Sequence, residues 1–146
     1  MATSVTLHFG FCRLFLIPMK IRPTVWGIVF SGLAVVFGAF GAHALSDRLE
    51  PQELEVFKTG VQYQMYHGLA LILAGIMFKS KPSANLSNAA ICFILGTLFF
   101  SGSLYMITLG KISRFDFKWV GPITPIGGLG FITGWALMLY HHVTKR

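Results

Sequence analysis

Several polar side chains stand inside the most apolar stretches of this chain. Gln64 and His67, with Tyr63 one turn before the histidine, fall in the charge-free run Thr59 to Phe78. Thr97, Ser101 and Tyr105 recur at i, i+4 and i+8 in another such run, Ala89 to Leu109, with Ser103 between the last two, and His43 sits near the end of a third, Val25 to Leu45. In hydrocarbon a polar group without a partner is expensive, so these residues must turn toward one another or toward a water-filled path. An interior lined by His67, Gln64, Tyr63 and Ser101 would be a small conduit for protons or polar solutes. The other reading is that the same groups satisfy each other and fix helix register. Gln64 and His67 would then meet Ser101 or Tyr105, and His43 would cap the outer end. That reading needs neither an intramembrane charge nor an internal repeat of the kind transporters carry, and the sequence has neither.

Catalysis would ask for more. The chain has no HExxH, CxxC, GxSxG or P-loop motif, and no Asp or Glu lies within the apolar runs, so paired-carboxylate chemistry has no candidates there. No enzyme is expected. Haem between two histidines of a bundle needs both at similar depth. With the second run entered at Thr59, His67 lies ~12 Å deep and His43 only ~3 Å, a mismatch of about 9 Å at the helical rise. No cofactor or metal is therefore expected. His141 and His142 are adjacent, point to different helix faces, and suit the headgroup region.

The elements that position these residues follow from composition. Only 12% of the 146 residues are charged and 54% are hydrophobic, with a mean hydropathy of +0.67. Soluble domains carry about 25% charged residues, so this chain lacks the polar surface to shield its apolar runs. Two cysteines, Cys12 and Cys92, rule out a disulfide scaffold. The net charge of +7 does not point to nucleic acid, because Lys and Arg stand singly or in pairs between apolar runs rather than in one basic patch. The runs 25–45, 59–78, 89–109 and 123–140 contain 21, 20, 21 and 18 residues, each near the ~20 that cross a ~30 Å hydrocarbon core. The expected fold is an all-α integral membrane protein, an antiparallel four-helix transmembrane bundle forming one domain over 19–146.

Boundary residues support those limits. Gly110 and Lys111 fit the C-terminal end of the third helix, Thr124 and Pro125 the N-cap and first position of the fourth. Between the first two spans, Ser46 to Lys58 holds four of the five acids, and Pro51, Leu54, Phe57 and Val61 outline an amphipathic segment. It lies on the membrane surface or forms the wetted first turns of the second span. Seven Lys and Arg flank one side (13, 20, 22, 79, 81, 145, 146) and five the other (48, 58, 111, 114, 118). That bias places both termini in the cytoplasm, with Trp26 and Tyr140 on the inner side and Trp119 on the outer. Residues 1–18 carry no clear signal-peptide pattern and read as an N-terminal extension, an over-long gene start before Met19, Lys20 and Arg22.

Association within lipid depends on small residues that let backbones approach. Ala34, Gly38 and Ala42 form such a stripe in the first span, and Gly130 and Gly134, with Gly127 and Gly128 ahead, form one in the fourth. In a closed bundle these two helices are neighbours and the stripes face one another; turned outward, they would offer a seam to a second copy or a membrane-protein partner.

Four motifs, in order, resemble one family. They are Gly38-Ala39-Phe40-Gly41-Ala42-His43-Ala44-Leu45, Phe57 to His67 (FKTGVQYQMYH), Phe100-Ser101-Gly102-Ser103-Leu104-Tyr105, and Pro122 to Gly128 (PITPIGG). The chain is similar in these to the YgdD-like family of small membrane proteins of unknown function, over about Lys20 to Arg146, with Gly68 a departure from the expected alanine. The resemblance implies a four-span protein of the plasma membrane, the inner membrane in bacteria, and implies no reaction.

Overall fold

The computed structural model of the protein describes residues 22–144 except 114 and 116, so the reading of residues 1–18 as an extension lies outside the described residues. Four long helices make up most of it: α1 (Pro23–Phe40), α2 (Pro51–Ser80), α3 (Ala84–Ser113) and α4 (Ile123–Thr144). A π-helical turn, Gly41–Leu45, prolongs α1, and a 3-10 turn, Lys118–Val120, precedes α4.

The amphipathic segment is not a separate element. Pro51 starts α2 with its fixed φ, and the backbone N–H of Glu50 donates to the Glu53 carboxylate at 3.2 Å, half of a reciprocal cap. From there the helix continues without a break through Gln64 and His67. Two boundary expectations are corrected. Gly110 is buried within α3 rather than ending it, and its missing side chain admits Phe117, whose ring would lie 2.6 Å from a Cβ there. α4 begins at Ile123, and the Thr124 hydroxyl binds Ser103 at 2.6 Å instead of capping the helix.

Among the described residues, three helices are long and apolar enough to cross a membrane: Pro23–Leu45, which joins α1 to the π turn, Ala84–Ser113 and Ile123–Thr144. α2 has the length, at 30 residues, but is diluted by Gln62, Tyr63, Gln64, Tyr66 and His67. Its polarity has a structural counterpart, since Gln64 and His67 are buried by the other helices.

Close contacts fix how the helices meet. On α1 and α2, Thr24 faces Gly75, Gly27 faces Gly68, and Gly41 faces Phe57, so one sequence number rises as the other falls. Gly127 against Phe100 and Gly134 against Phe93 show the same reversed register for α4 and α3. α2 packs along α3 in turn. The main core, around Phe30, Leu71, Ala74, Leu86, Ala90, Phe93, Phe131 and Met138, draws on all four helices. A smaller one at the far end gathers Leu45, Leu49 and Phe57.

The two small-residue stripes do not meet each other, and their packed members lie against other partners. The extensive pairings are α1 with α2, α2 with α3, and α3 with α4, so the first and fourth helices do not form the close seam. Ala34 is buried, while a Cβ on Gly38 would meet Val61 of α2 at an ordinary 3.5 Å. On α4, a Cβ on Gly130 would lie 3.2 Å from the Cys92 carbonyl and one on Gly134 2.5 Å from Phe93. Ala42 is exposed. Gly41 and Leu45 turn inward there and Ala42 does not, because at 3.6 residues per turn position 41 returns nearly to the face of Ala34 and position 42 is carried past it.

Candidate functional site

Gln64 is where three helices are tied together. Its side-chain amide N–H donates to the Phe30 carbonyl of α1 at 2.9 Å, and its Oε1 accepts from the Tyr105 hydroxyl of α3, also at 2.9 Å. The tyrosine ring meets Phe37 edge-on at 5.1 Å and Phe57 at 5.0 Å, so it is held by packing as well as by its hydroxyl.

One turn along α2, His67 occupies an aromatic enclosure. Phe131 of α4 stacks on the imidazole at 3.4 Å between ring centres and 5° between planes, and Phe93 of α3 lies at 5.5 Å. The polar contacts of the ring determine its tautomer. Nδ1 is 2.8 Å from the Tyr63 carbonyl, which only accepts, so Nδ1 carries the proton. Nε2 is then the acceptor for the Trp135 indole N–H at 3.4 Å. Both ring nitrogens are matched with the imidazole neutral. The geometry suits an uncharged interior post between α2 and α4.

The remaining sequence candidates divide. Ser103 bonds the Phe100 carbonyl at 2.8 Å as well as Thr124, linking α3 to α4 at a second point. Tyr63 is partly exposed and flanks the enclosure, its ring 4.6 Å from Phe100. Ser101 is buried, but its hydroxyl bonds neither Gln64 nor His67 and has no partner in the structure. His43 is exposed on the π turn and stands apart from the cluster. The expectation that His67 meets Ser101 or Tyr105 is corrected, because the histidine turns to α4 instead. Phe30, Phe131 and Trp135 are the residues that sequence reasoning missed, and Thr124, read there as a helix cap, binds Ser103 instead. Trp135 and Phe131 are four apart on one helix, a weak signal; the Phe30 carbonyl gives none.

Among the described residues, no group of three or more His, Cys, Asp or Glu is placed to hold a metal ion. Nothing in the enclosure pairs a nucleophile with a base: the imidazole faces an indole, two phenyl rings and a backbone carbonyl.

Helices of membrane length, joined through a buried amide and a buried imidazole, define an all-helical integral membrane protein. Residues 37–128 match the family described as a protein of unknown function (DUF423), and the chain belongs to that family. Its relatives carry membrane names. It is 42% identical to the UPF0382 membrane protein SH2409 of Staphylococcus haemolyticus, over 79% of this chain and 89% of that one. It is 38% identical to the UPF0382 membrane protein YwdK of Bacillus subtilis, over 79% and 90%. With the UPF0382 inner membrane protein YgdD of Escherichia coli K12 the identity is 36%, over 83% and 86%. No solved structure matches the chain.

Proposed function

We propose that the protein is a non-enzymatic structural or partner-binding subunit of the plasma membrane, an antiparallel four-span bundle with both termini in the cytoplasm. In this reading the interior polar cluster organises the fold. The observation that carries it is that the Gln64 amide and both nitrogens of His67 already have partners on α1, α2, α3 and α4. A conduit needs those donors and acceptors available to a moving proton or solute, and here they are engaged between helices. The same engagement explains how α2 spans the membrane although it is the most polar of the four. Its Gln64 and His67 leave lipid by binding other helices.

Water access to the histidine position tests this. In a chain lacking Cys12 and Cys92, His67→Cys is expected to resist a membrane-impermeant thiol reagent added from either side of the membrane. Rapid labelling from one side would overturn the structural reading in favour of the conduit.

A further inference from the structure

Two polar residues of α2 stay outside the interior. Gln62 and Tyr66 are exposed, the tyrosine by 51%, and the Gln62 side-chain N–H donates to the Tyr66 hydroxyl at 2.6 Å. Among the described residues nothing donates to the Gln62 Oε1, and nothing accepts its second N–H. Their depth makes this costly. Gln64 binds the Phe30 carbonyl and Val61 faces Gly38, so Gln62 lies level with Ala34, the midpoint of Pro23–Leu45. In a four-span bundle a carboxamide at that level has hydrocarbon beside it rather than water. Outward residues at similar depth on the other helices, Val36, Phe99 and Ile132, are apolar.

The spacing of the exposed face says what covers it. Gln62, Tyr66, Leu69, Leu73 and Ile76 recur at intervals of 4, 3, 4 and 3 residues, and the last three are 53%, 46% and 55% exposed. That alternation is the heptad seam by which one helix seats its side chains against another of the same kind, and a polar residue within the seam fixes its register. In lipid the polar residue also supplies attraction, because apolar side chains are as well served by acyl chains as by a neighbouring helix. Two copies inserted with the same orientation bring equal positions of the seam together about a twofold axis along the membrane normal. Each Gln62 then donates its second N–H to the Oε1 of the same glutamine in the other copy, a reciprocal match that lipid does not offer.

We propose that the protein pairs with a second copy of itself through this face of α2, in a parallel helix contact whose register is set by Gln62. The pairing rests on the reading of α2 as a membrane span.

Crosslinking in native membranes tests it. In a chain lacking Cys12 and Cys92, mild oxidation is expected to join Leu69→Cys into a disulfide dimer and to leave Ile132→Cys, on the outward face of α4, monomeric. Both side chains are exposed, so neither substitution disturbs the bundle. Energy transfer between labelled copies, followed as lipid is added to proteoliposomes, should show the Gln62→Leu dimer dissociating at about fivefold higher protein content, the effect of losing two interhelical hydrogen bonds. No Leu69→Cys dimer, equal or stronger crosslinking through Ile132→Cys, or a Gln62→Leu dimer as tight as the unchanged one overturns the proposal. A Leu69→Cys product that contains a different protein gives the face to that partner and overturns the self-pairing. Labelling of Gln62→Cys by an impermeant thiol reagent overturns the spanning of α2 and the pairing with it, whereas an unlabelled Gln62→Cys in a chain that forms no dimer removes the pairing alone.

Discussion

Tyr105 and Phe30 hold opposite ends of one amide, and removing either partner of Gln64 has a calculable effect. Interhelical hydrogen bonds in membrane proteins contribute ~0.6 kcal/mol on average, because the unfolded chain in lipid also finds partners. Tyr105→Phe keeps the ring against Phe37 and Phe57 and should cost about that much, whereas Gln64→Leu loses both bonds and should cost ~1 kcal/mol. Detergent-titration unfolding of the two single variants and the double variant should give a coupling of ~0.6 kcal/mol. Additive losses would show that the bond carries no stability. For His67 the loss is again modest. His67→Leu should lower the unfolding midpoint slightly and leave the bundle assembled, and it should alter Trp135 emission, read in a chain whose Trp26 and Trp119 are phenylalanine. Unchanged emission would mean that the indole does not report on His67.

At the scale of the helix, close approach decides which glycines matter. A Cβ on Gly68 would lie 2.5 Å from the Ser31 hydroxyl and 3.0 Å from its backbone N, whereas one on Gly32 would meet nothing within 4 Å. Gly68→Leu should therefore force α1 from α2, at a cost above the ~1–3 kcal/mol of ordinary overpacking, while Gly32→Leu leaves folding intact. Size-exclusion profiles of the two variants separate these outcomes, and a folded Gly68→Leu would refute the α1–α2 contact. This seam also shows what the sequence conveys. Runs without charge locate the apolar helices, since lipid imposes length and composition directly. Spacing picks out Ala34, Gly38, Gly130 and Gly134 as small residues, but many glycines qualify, and the tight crossings at Gly27, Gly68 and Gly75 depend on which helix lies opposite. Four-residue spacing drifts around the helix at each step, so Ala42 leaves the face that Ala34 begins, and no residue between Gly41 and Leu45 announces a π turn. Likewise, polarity alone singles out Gln64, His67 and Tyr105, yet the acceptor for Gln64 is a backbone carbonyl that every residue possesses.

Across the whole molecule, the placement of Ser83 and Ser113 at opposite ends makes orientation measurable. In a chain lacking Cys12 and Cys92, an impermeant thiol reagent applied to intact cells should label Ser113→Cys and miss Ser83→Cys; the reverse would invert the topology, and labelling of both would mean two orientations. The order of packing has a bearing on how such a chain is made. Each helix rests chiefly on the one that precedes it, α2 on α1, α3 on α2 and α4 on α3. A nascent chain entering the bilayer from its N-terminus thus finds a partner for every new helix already in place. The contact between Trp135 and His67 is different, for it joins residues 68 apart and waits for the last helix to be synthesised. Until α4 arrives, the imidazole has no indole donor, so a chain halted after α3 leaves one buried ring nitrogen without the partner that the finished bundle gives it.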